Sequence, residues 1–231
     1  MKNLFLAALL LILGTQAIPA QAASAAQPFV RWVVYTADAG STPALLNAIS
    51  TYNTAALKND GVLAIYGGED ENGVIRFLEI YKDEAAFNAV QNDAALTACR
   101  EDIAKLAQSS KVLNADAFLL QSKLTGTADK PRMARLVIDP AQLDAYKNVL
   151  AEEMRNSVTN EPGVLALLAT TEAANPNIFH LLELYADDTA YKAHIDGPYF
   201  QKYNKAVQSM VTDKTLIVNK PQDITLSGKK L

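Results

Sequence analysis

The sequence contains one order of motifs twice, and this internal repeat constrains the fold more than any other feature. A Gly-Val-Leu-Ala stretch begins at Gly61 and again at Gly163, and LEIY at residues 78–81 returns as LELY at residues 182–185. The separation between the copies grows from 102 residues for the first motif to 104 for the second. The growth falls in a predicted hairpin turn, where insertions are easily tolerated. We therefore expect two related halves in one chain.

Hydrophobic periodicity predicts the same element order, β-α-β-β-α-β, in both halves. This is the ferredoxin-like order, in which two helices cover one face of a four-stranded sheet and the other apolar face stays open. Two such halves in one chain can close their open faces on each other. The predicted fold class is therefore α+β, with two ferredoxin-like (βαββαβ) halves forming a fused pseudo-dimeric α+β barrel. A ligand cavity is expected between a sheet and its helices.

The predicted divisions of the chain follow from this repeat and from local composition. They are a signal peptide at 1–22, a first half at 28–121, a linker at 122–132, a second half at 133–220 and a polar tail at 221–231.

The first residues have the pattern of a secretory signal peptide. Lys2 supplies a positive charge, residues 4–13 (LFLAALLLIL) form an apolar run, and residues 20–22 (AQA) form a small-residue cleavage signal. Ten apolar residues make about 15 Å of helix, about half of a bilayer core, so no stable membrane span is expected. We expect export to the periplasm with cleavage near Ala22, and residues 23–25 offer a second cleavage position.

Charge and composition argue against several classes of partner. The whole chain has a net charge of -4. Removal of the signal, which carries Lys2 and no acid, makes the mature charge -4 - 1 = -5. A mildly acidic chain without a long Lys/Arg run disfavours nucleic acid as a partner. The chain has two histidines and one cysteine, and their spacing matches no standard zinc pattern, so no metal site is predicted.

The motif E-x-Y-x-D-x-x-A-[FY]-x-x-H, from Glu183 to His194, resembles the antibiotic biosynthesis monooxygenase (ABM) superfamily. The resemblance is greatest to the branch of small quinol monooxygenases, and it extends well over 134–219 and more weakly over 31–118. It implies a dimeric α+β barrel, here as a fused dimer. It also implies oxidation of phenolic or quinol substrates by O₂ without a metal, flavin or haem, so no cofactor is expected.

The resemblance further implies that His194 is a general base and that Tyr199 is a hydrogen-bond donor that orients the substrate. A neutral imidazole can take a phenol or quinol proton near pH 7. The alternative for His194 is a structural one, in which it caps a backbone carbonyl at the break formed by Gly197 and Pro198. The first half has Val90 in place of His194, which predicts a degenerate half that completes the barrel.

Four aromatic residues are candidates for the substrate-binding wall, with packing in the core as the alternative for each. They are Tyr185, Tyr191, Tyr203 and Trp32.

Glu183 has an echo at Glu79 in the half that lacks the histidine, which favours a structural role for both carboxylates. His180 must take the strand face opposite to Glu183, because residues three apart on a strand point to opposite sides of the sheet.

The function expected from the sequence is a cofactor-independent monooxygenase that acts on a small aromatic or quinol-like substrate and O₂ in the periplasm. Two alternatives stay open at this point. One is a non-catalytic protein that binds a small molecule, and the other is an isomerase of a small carbonyl compound. The chain is expected to be an internal pseudo-dimer, and the sequence leaves further homo-oligomerisation open.

The signal peptide generates the first prediction. Expression of the full gene in a Gram-negative host should yield a periplasmic protein whose intact mass lacks residues 1–22, because the A-x-A signal directs cleavage after Ala22. Mass spectrometry of the periplasmic fraction measures this directly, and an Ala20→Leu variant should no longer be cleaved after Ala22, so that it accumulates uncleaved or is cleaved after Ala25. Recovery of an uncleaved wild-type chain in the cytoplasm would contradict the prediction.

Overall fold

The computed structural model describes residues 27–124, 128–220 and 227–228. The predicted signal peptide and most of the predicted polar tail lie outside the described residues. The elements of the first half, in chain order, are β1 (Phe29–Thr36), α1 (Thr42–Ala56), β2 (Val62–Glu69), β3 (Ile75–Tyr81), α2 (Glu84–Asn92), α3 (Ala94–Leu106) and β4 (Ser109–Ser122).

The second half repeats this order. Its elements are β5 (Lys130–Ile138), a short 3₁₀ turn (Pro140–Gln142), α4 (Leu143–Asn160), β6 (Val164–Glu172), β7 (Asn175–Tyr185), α5 (Asp188–Asp196), α6 (Pro198–Ala206) and β8 (Val211–Ile217). A two-residue strand, β9 (Ser227–Gly228), follows in the region predicted as a tail.

All the strands belong to one antiparallel sheet in the order β8-β5-β7-β6-β4-β1-β3-β2-β9. Each half contributes four adjacent strands in ferredoxin-like order, and the pairing of β4 with β6 joins the halves. At the far ends, the chain just after β8 meets the end of β2. The Lys220 N–H donates to the Glu69 carbonyl at 3.0 Å, and the Glu71 N–H donates to the Val218 carbonyl at 3.0 Å. The sheet thus closes into the predicted barrel.

Strand alternation sorts the side chains into a barrel interior and two outer layers. The interior is apolar and combines residues of both halves, among them Val30, Trp32, Leu78, Ile80, Leu168, Leu182 and Leu184. The outer face of each half packs against its own helices and forms a separate core. No helix within the described residues is long and apolar enough to cross a membrane.

The alternation on β7 decides where the polar residues point. Phe179, Leu181 and Tyr185 belong to the core under the helices, so Glu183 also points to the helices. His180 points into the barrel, where its Nε2 lies 3.0 Å from a Glu172 carboxylate oxygen. His180 and Glu183 therefore lie on opposite faces of the sheet, as the sequence predicts.

The repeated glycine has a packing reason in both halves. The helix that follows the hairpin begins at a capping aspartate in each half, and an alanine in its first turn packs against the glycine before the second strand. The Asp187 side chain accepts from the Ala190 N–H at 2.7 Å. A Cβ at Gly163 would lie 2.3 Å from the Cβ of Ala190, and one at Gly61 would lie 2.5 Å from that of Ala86.

The second prediction tests this contact. Gly163→Ala should lower the free energy of unfolding by about 1–3 kcal/mol, because overpacking forces the helix away from the strand. The matched control is Gly40→Ala, where an added Cβ meets nothing within 4 Å. Urea unfolding followed by circular dichroism compares the two variants. Equal midpoints for both alanine variants would refute the packing argument.

Candidate functional site

A cavity of about 760 Å³ lies in the second half, between the outer face of the sheet and the helices α5 and α6. The strands β5, β7 and β8 form its floor and one edge. Its apolar and aromatic wall includes Leu136, Leu181, Tyr191, Ile195, Phe200, Tyr203 and Val207. Two charged groups, Arg132 and Glu183, lie on the floor. A large apolar cavity with a few convergent polar groups is the usual form of a small-molecule site.

Glu183 is the partly buried carboxyl of this cavity. Protein surrounds it, and its partly exposed surface faces the cavity. Burial raises the pKa of Glu183, and this outweighs three effects that lower it: the Tyr185 hydroxyl, which donates to Oε2 at 2.8 Å, and the charges of His194 and Arg132. A carboxyl with a raised pKa is a better base near neutral pH than an exposed one.

His194 is buried, with 2% of its surface exposed, and is absent from the cavity wall. Its Nδ1 lies 2.9 Å from Glu161 Oε2, and its Nε2 lies 3.7 Å from Glu153 Oε1. The rings of Tyr185 and Phe200 pack against the imidazole, with centroids 5.3 and 5.1 Å away. The imidazole is therefore within hydrogen-bond distance of the Glu161 carboxylate, and the structural alternative of a side-chain cap on a backbone carbonyl does not describe it.

Glu153 extends this polar cluster into α4. It is 7% exposed, and burial raises its pKa to about 8, although the Ser157 hydroxyl donates to its Oε1 at 2.8 Å. The negative charges of Glu183 and Glu161 raise that pKa further. Glu153 is thus mainly protonated at neutral pH.

The candidate aromatic residues separate into three groups. Tyr191 and Tyr203 line the cavity, and the Tyr203 hydroxyl lies 3.1 Å from the Tyr146 hydroxyl. Tyr185 is fully buried behind Glu183. Tyr199 is absent from the main cavity wall and lies in a shallow cleft against α4.

Trp32 lies on the other side of the sheet from the cavity, because its side chain points into the barrel. Its Nε1–H donates to the Thr170 hydroxyl at 3.0 Å, and its ring centroid lies 5.8 Å from that of His180. Trp32 packs in the apolar interior of the barrel, the alternative given for it from the sequence, and is absent from the cavity wall.

The first half has the same strand positions but a different chemistry. Arg31 pairs with Glu79 across the sheet, and Nε lies 2.6 Å from Oε2, which also accepts the Tyr81 hydroxyl at 2.8 Å. Glu79 therefore has the structural role predicted for both carboxylates. Glu183 differs, because it faces a cavity.

The His194–Glu153 contact also has no counterpart in the first half. Val90 stands in place of the histidine. Alignment of the buried positions of α1 and α4 puts Tyr52 opposite Glu153.

The sequence analysis did not identify Arg132 or Glu153, and it assigned Glu183 a structural role. A signal for Arg132 was present, since both halves have an arginine on their first strand, at 31 and 132. Glu153 had no comparable signal, because it is a charged residue on an otherwise ordinary amphipathic helix. Within the described ranges, no group of three or more His, Cys, Asp or Glu side chains is placed to hold a metal ion.

A protein-family model matches the second half of the chain. Residues 132–206 match the family model described as antibiotic biosynthesis monooxygenase. A "putative antibiotic biosynthesis monooxygenase" from Bacteroides thetaiotaomicron is 42% identical over 43% of this chain and 95% of its own, with a TM-score of 0.41. No curated protein sequence matches the chain.

Solved structures also match across both halves of the chain. A "putative monooxygenase" from Lactobacillus acidophilus has a TM-score of 0.81 at 19% identity, over 89% of this chain and 98% of its own. One from Fusobacterium nucleatum has a TM-score of 0.81 at 20% identity, with the same coverage. Both halves together therefore match a known tandem-length fold.

The third prediction concerns the pH dependence of stability. Between pH 4.5, the ordinary pKa of Glu153, and about 8, its folded pKa, the unfolded chain has released this proton and the folded chain has not. The contribution of Glu153 to the free energy of unfolding therefore falls as pH rises through this window. Glu153→Gln removes this contribution. The free energy of unfolding of the variant, relative to that of wild type, should therefore increase by about 1–3 kcal/mol between pH 5 and pH 8.

The control is the neighbouring Glu152→Gln. Glu152 is exposed and paired with Lys202, so its substitution should change stability by the same small amount at both pH values. Chemical denaturation at the two pH values measures the difference. Parallel pH profiles for wild type and Glu153→Gln would contradict the assignment of a raised pKa.

Proposed function

The chain belongs to the antibiotic biosynthesis monooxygenase family, and on that basis we propose a cofactor-independent monooxygenase. The substrate class we propose is a quinol or another electron-rich aromatic, with O₂ as the oxidant. One observation carries the proposal: the second half has a largely apolar cavity of about 760 Å³ with a partly buried carboxyl of raised pKa, Glu183, on its floor. An aromatic ring can pack against the apolar wall, and a hydroxyl on that ring can donate its proton to the carboxyl.

The first chemical step is a proton transfer. The substrate ring lies against Phe200 and Tyr191, and its hydroxyl points to Glu183, whose ionised form takes the proton. The resulting phenolate is a stronger electron donor than the phenol. Exclusion of water by the apolar wall strengthens the electrostatic interactions of the reacting groups.

The oxygen chemistry balances without a further reductant. The phenolate transfers one electron to O₂, and the ring radical and superoxide then combine to form a C–O bond and, after protonation, a hydroperoxide. Removal of the proton on that carbon forms the carbonyl while the O–O bond breaks, and hydroxide leaves as water. A quinol plus O₂ thus gives a hydroxyquinone plus water, and the substrate supplies all four electrons.

His194, the base expected from the resemblance, has an indirect part in this proposal. It does not line the cavity itself and packs behind the wall residue Phe200, but it lies close enough to Glu183 for a positive charge on it to lower the pKa of that carboxyl. Glu161, on the other side of the imidazole, has 19% of its side chain exposed. We assign His194 the role of positioning and tuning the base. Tyr203 lines the cavity in place of Tyr199, and its hydroxyl lies 3.1 Å from the hydroxyl of the buried Tyr146.

The site of action we propose is the periplasm. The support is the sequence pattern of residues 1–22, which predicts export and later cleavage.

The fourth prediction tests the reaction. The mature wild-type chain should consume O₂ with 1,4-naphthalenediol and incorporate one ¹⁸O atom from ¹⁸O₂ into the product. Glu183→Gln should lower kcat by about 100-fold or more, because general-base catalysis contributes about 10²–10⁴-fold. His194→Ala should lower kcat less and shift the pH profile, whereas Glu152→Gln should behave as wild type.

Other outcomes would reject the proposal in distinguishable ways. Uptake that is equal in wild type, Glu183→Gln and buffer would be autoxidation. Uptake that forms hydrogen peroxide without ¹⁸O in the product would indicate an oxidase. Absence of uptake combined with thermal stabilisation by the quinol would favour the binding-protein alternative. Anaerobic proton exchange into a small carbonyl compound would favour the isomerase.

A further inference from the structure

The two halves place an arginine and a glutamate at directly opposed positions of neighbouring strands. Arg31 opposes Glu79, and Arg132 opposes Glu183. In the first half the pair is closed by a charged hydrogen bond of 2.6 Å, while the guanidinium stacks 4.7 Å from the ring centroid of Phe87. In the first half, where the two side chains are in direct contact, the arginine and the glutamate of the duplicated strand pair thus form an ion pair.

In the second half only the stacking is retained. The guanidinium of Arg132 lies 4.7 Å from the ring centroid of Tyr191, the counterpart of Phe87. Among the described residues, however, Arg132 has no ion-pair partner within 4.0 Å, and its charge acts on Glu183 only at longer range. Arg132 and Glu183 both line the cavity. The cavity therefore opens at the place where the first half has an ion pair.

We propose that an anionic oxygen of the ligand occupies this place, so that the cavity selects aromatic molecules that carry a carboxylate or a phenolate. Arg132 binds the anionic oxygen through its N–H groups, as Arg31 binds the Glu79 carboxylate. The ring of the ligand lies along the wall formed by Tyr191 and Phe200. The inference names the substrate class of the proposed function, and it rests on that function for the aromatic part only.

The surrounding charges are compatible with an anion at this position. Lys130 also lies over the Tyr191 ring, at 6.0 Å, and pairs with Asp188. Asp213, on the cavity edge, pairs with Arg135 at 3.2 Å, so this acid is compensated.

Glu183 is the remaining acid on the floor. Burial raises its pKa, and its protonated form can donate a hydrogen bond to the anionic oxygen. The carboxyl and the guanidinium then bind the same ligand atom from two sides.

The test compares two ligands of nearly equal shape. Anaerobic titration calorimetry with 2-naphthoate and 2-naphthamide should show that wild type prefers the anion by about tenfold or more, because hydrogen bonds between charged groups are stronger than neutral ones. Arg132→Gln should abolish the preference. The matched control, Lys202→Gln, also removes one positive charge, but from a side chain that is exposed and outside this cavity, so the preference should persist.

A second probe distinguishes the two sources of the anion. The phenolate of 4-nitrophenol has its own visible absorption band, so its ionisation can be followed in the bound state. Binding to wild type should lower the apparent pKa of this ligand, and Arg132→Gln should not. A naphthoate preference without this shift would assign a carboxylate-bearing substrate, and the shift without the preference would assign a phenolate.

The inference is overturned if naphthoate and naphthamide bind wild type equally, or neither binds, and nitrophenol shows no shift. A preference that survives in Arg132→Gln would also overturn it. If Arg132→Gln does not fold, Arg132→Lys keeps the charge but loses the planar fork, and a reduced preference is then expected. Because binding is measured without O₂, a selective chain that consumes no O₂ would refute the proposed reaction and leave this inference standing.

Discussion

The structure depends on the mutual burial of two apolar sheet faces. Each ferredoxin-like half covers one face of its sheet with helices, and its other face would meet water if the half stood alone. In the fused chain, Leu78 and Ile80 of the first half and Leu182 and Leu184 of the second fill a common interior. Because this interior is occupied by side chains, the cavity described above lies on an outer face, between a sheet and its helices.

Fusion also allows one half to lose the residues of the site while the other half keeps them. A homodimer must place any substitution in both copies, whereas a tandem chain can change one copy alone. The first half has Val90 and Tyr52 where the second has His194 and Glu153. A buried histidine with two carboxylates near it is costly unless its charges are compensated. The second half has this cluster beside the cavity.

The architecture could be predicted well from the sequence because the spacing of hydrophobic residues indicates each helix and strand. The repeat follows from the recurring motifs, the element order follows from hydrophobic periodicity, and the opposite faces of Glu183 and His180 follow from strand geometry alone. The aromatic positions were less predictable. Tyr199 and Tyr203 share one helix face, as their spacing requires, but that face contacts α4, and only Tyr203 reaches the cavity wall. Helical spacing fixes which residues are neighbours and leaves open which surface they meet.

The Arg–Glu pair shows a deeper limit of sequence reasoning. Both halves contain the same two residue types at the same strand positions, so residue identity predicts the same role for each pair. The roles differ because the first half closes its pair and the second half separates it by a cavity. That difference arises from packing around the pair, since α5 and α6 leave space under the sheet that an ion pair fills in the other half. A duplicated motif can therefore be structural in one copy and available to a ligand in the other, and only the comparison of the two environments distinguishes them.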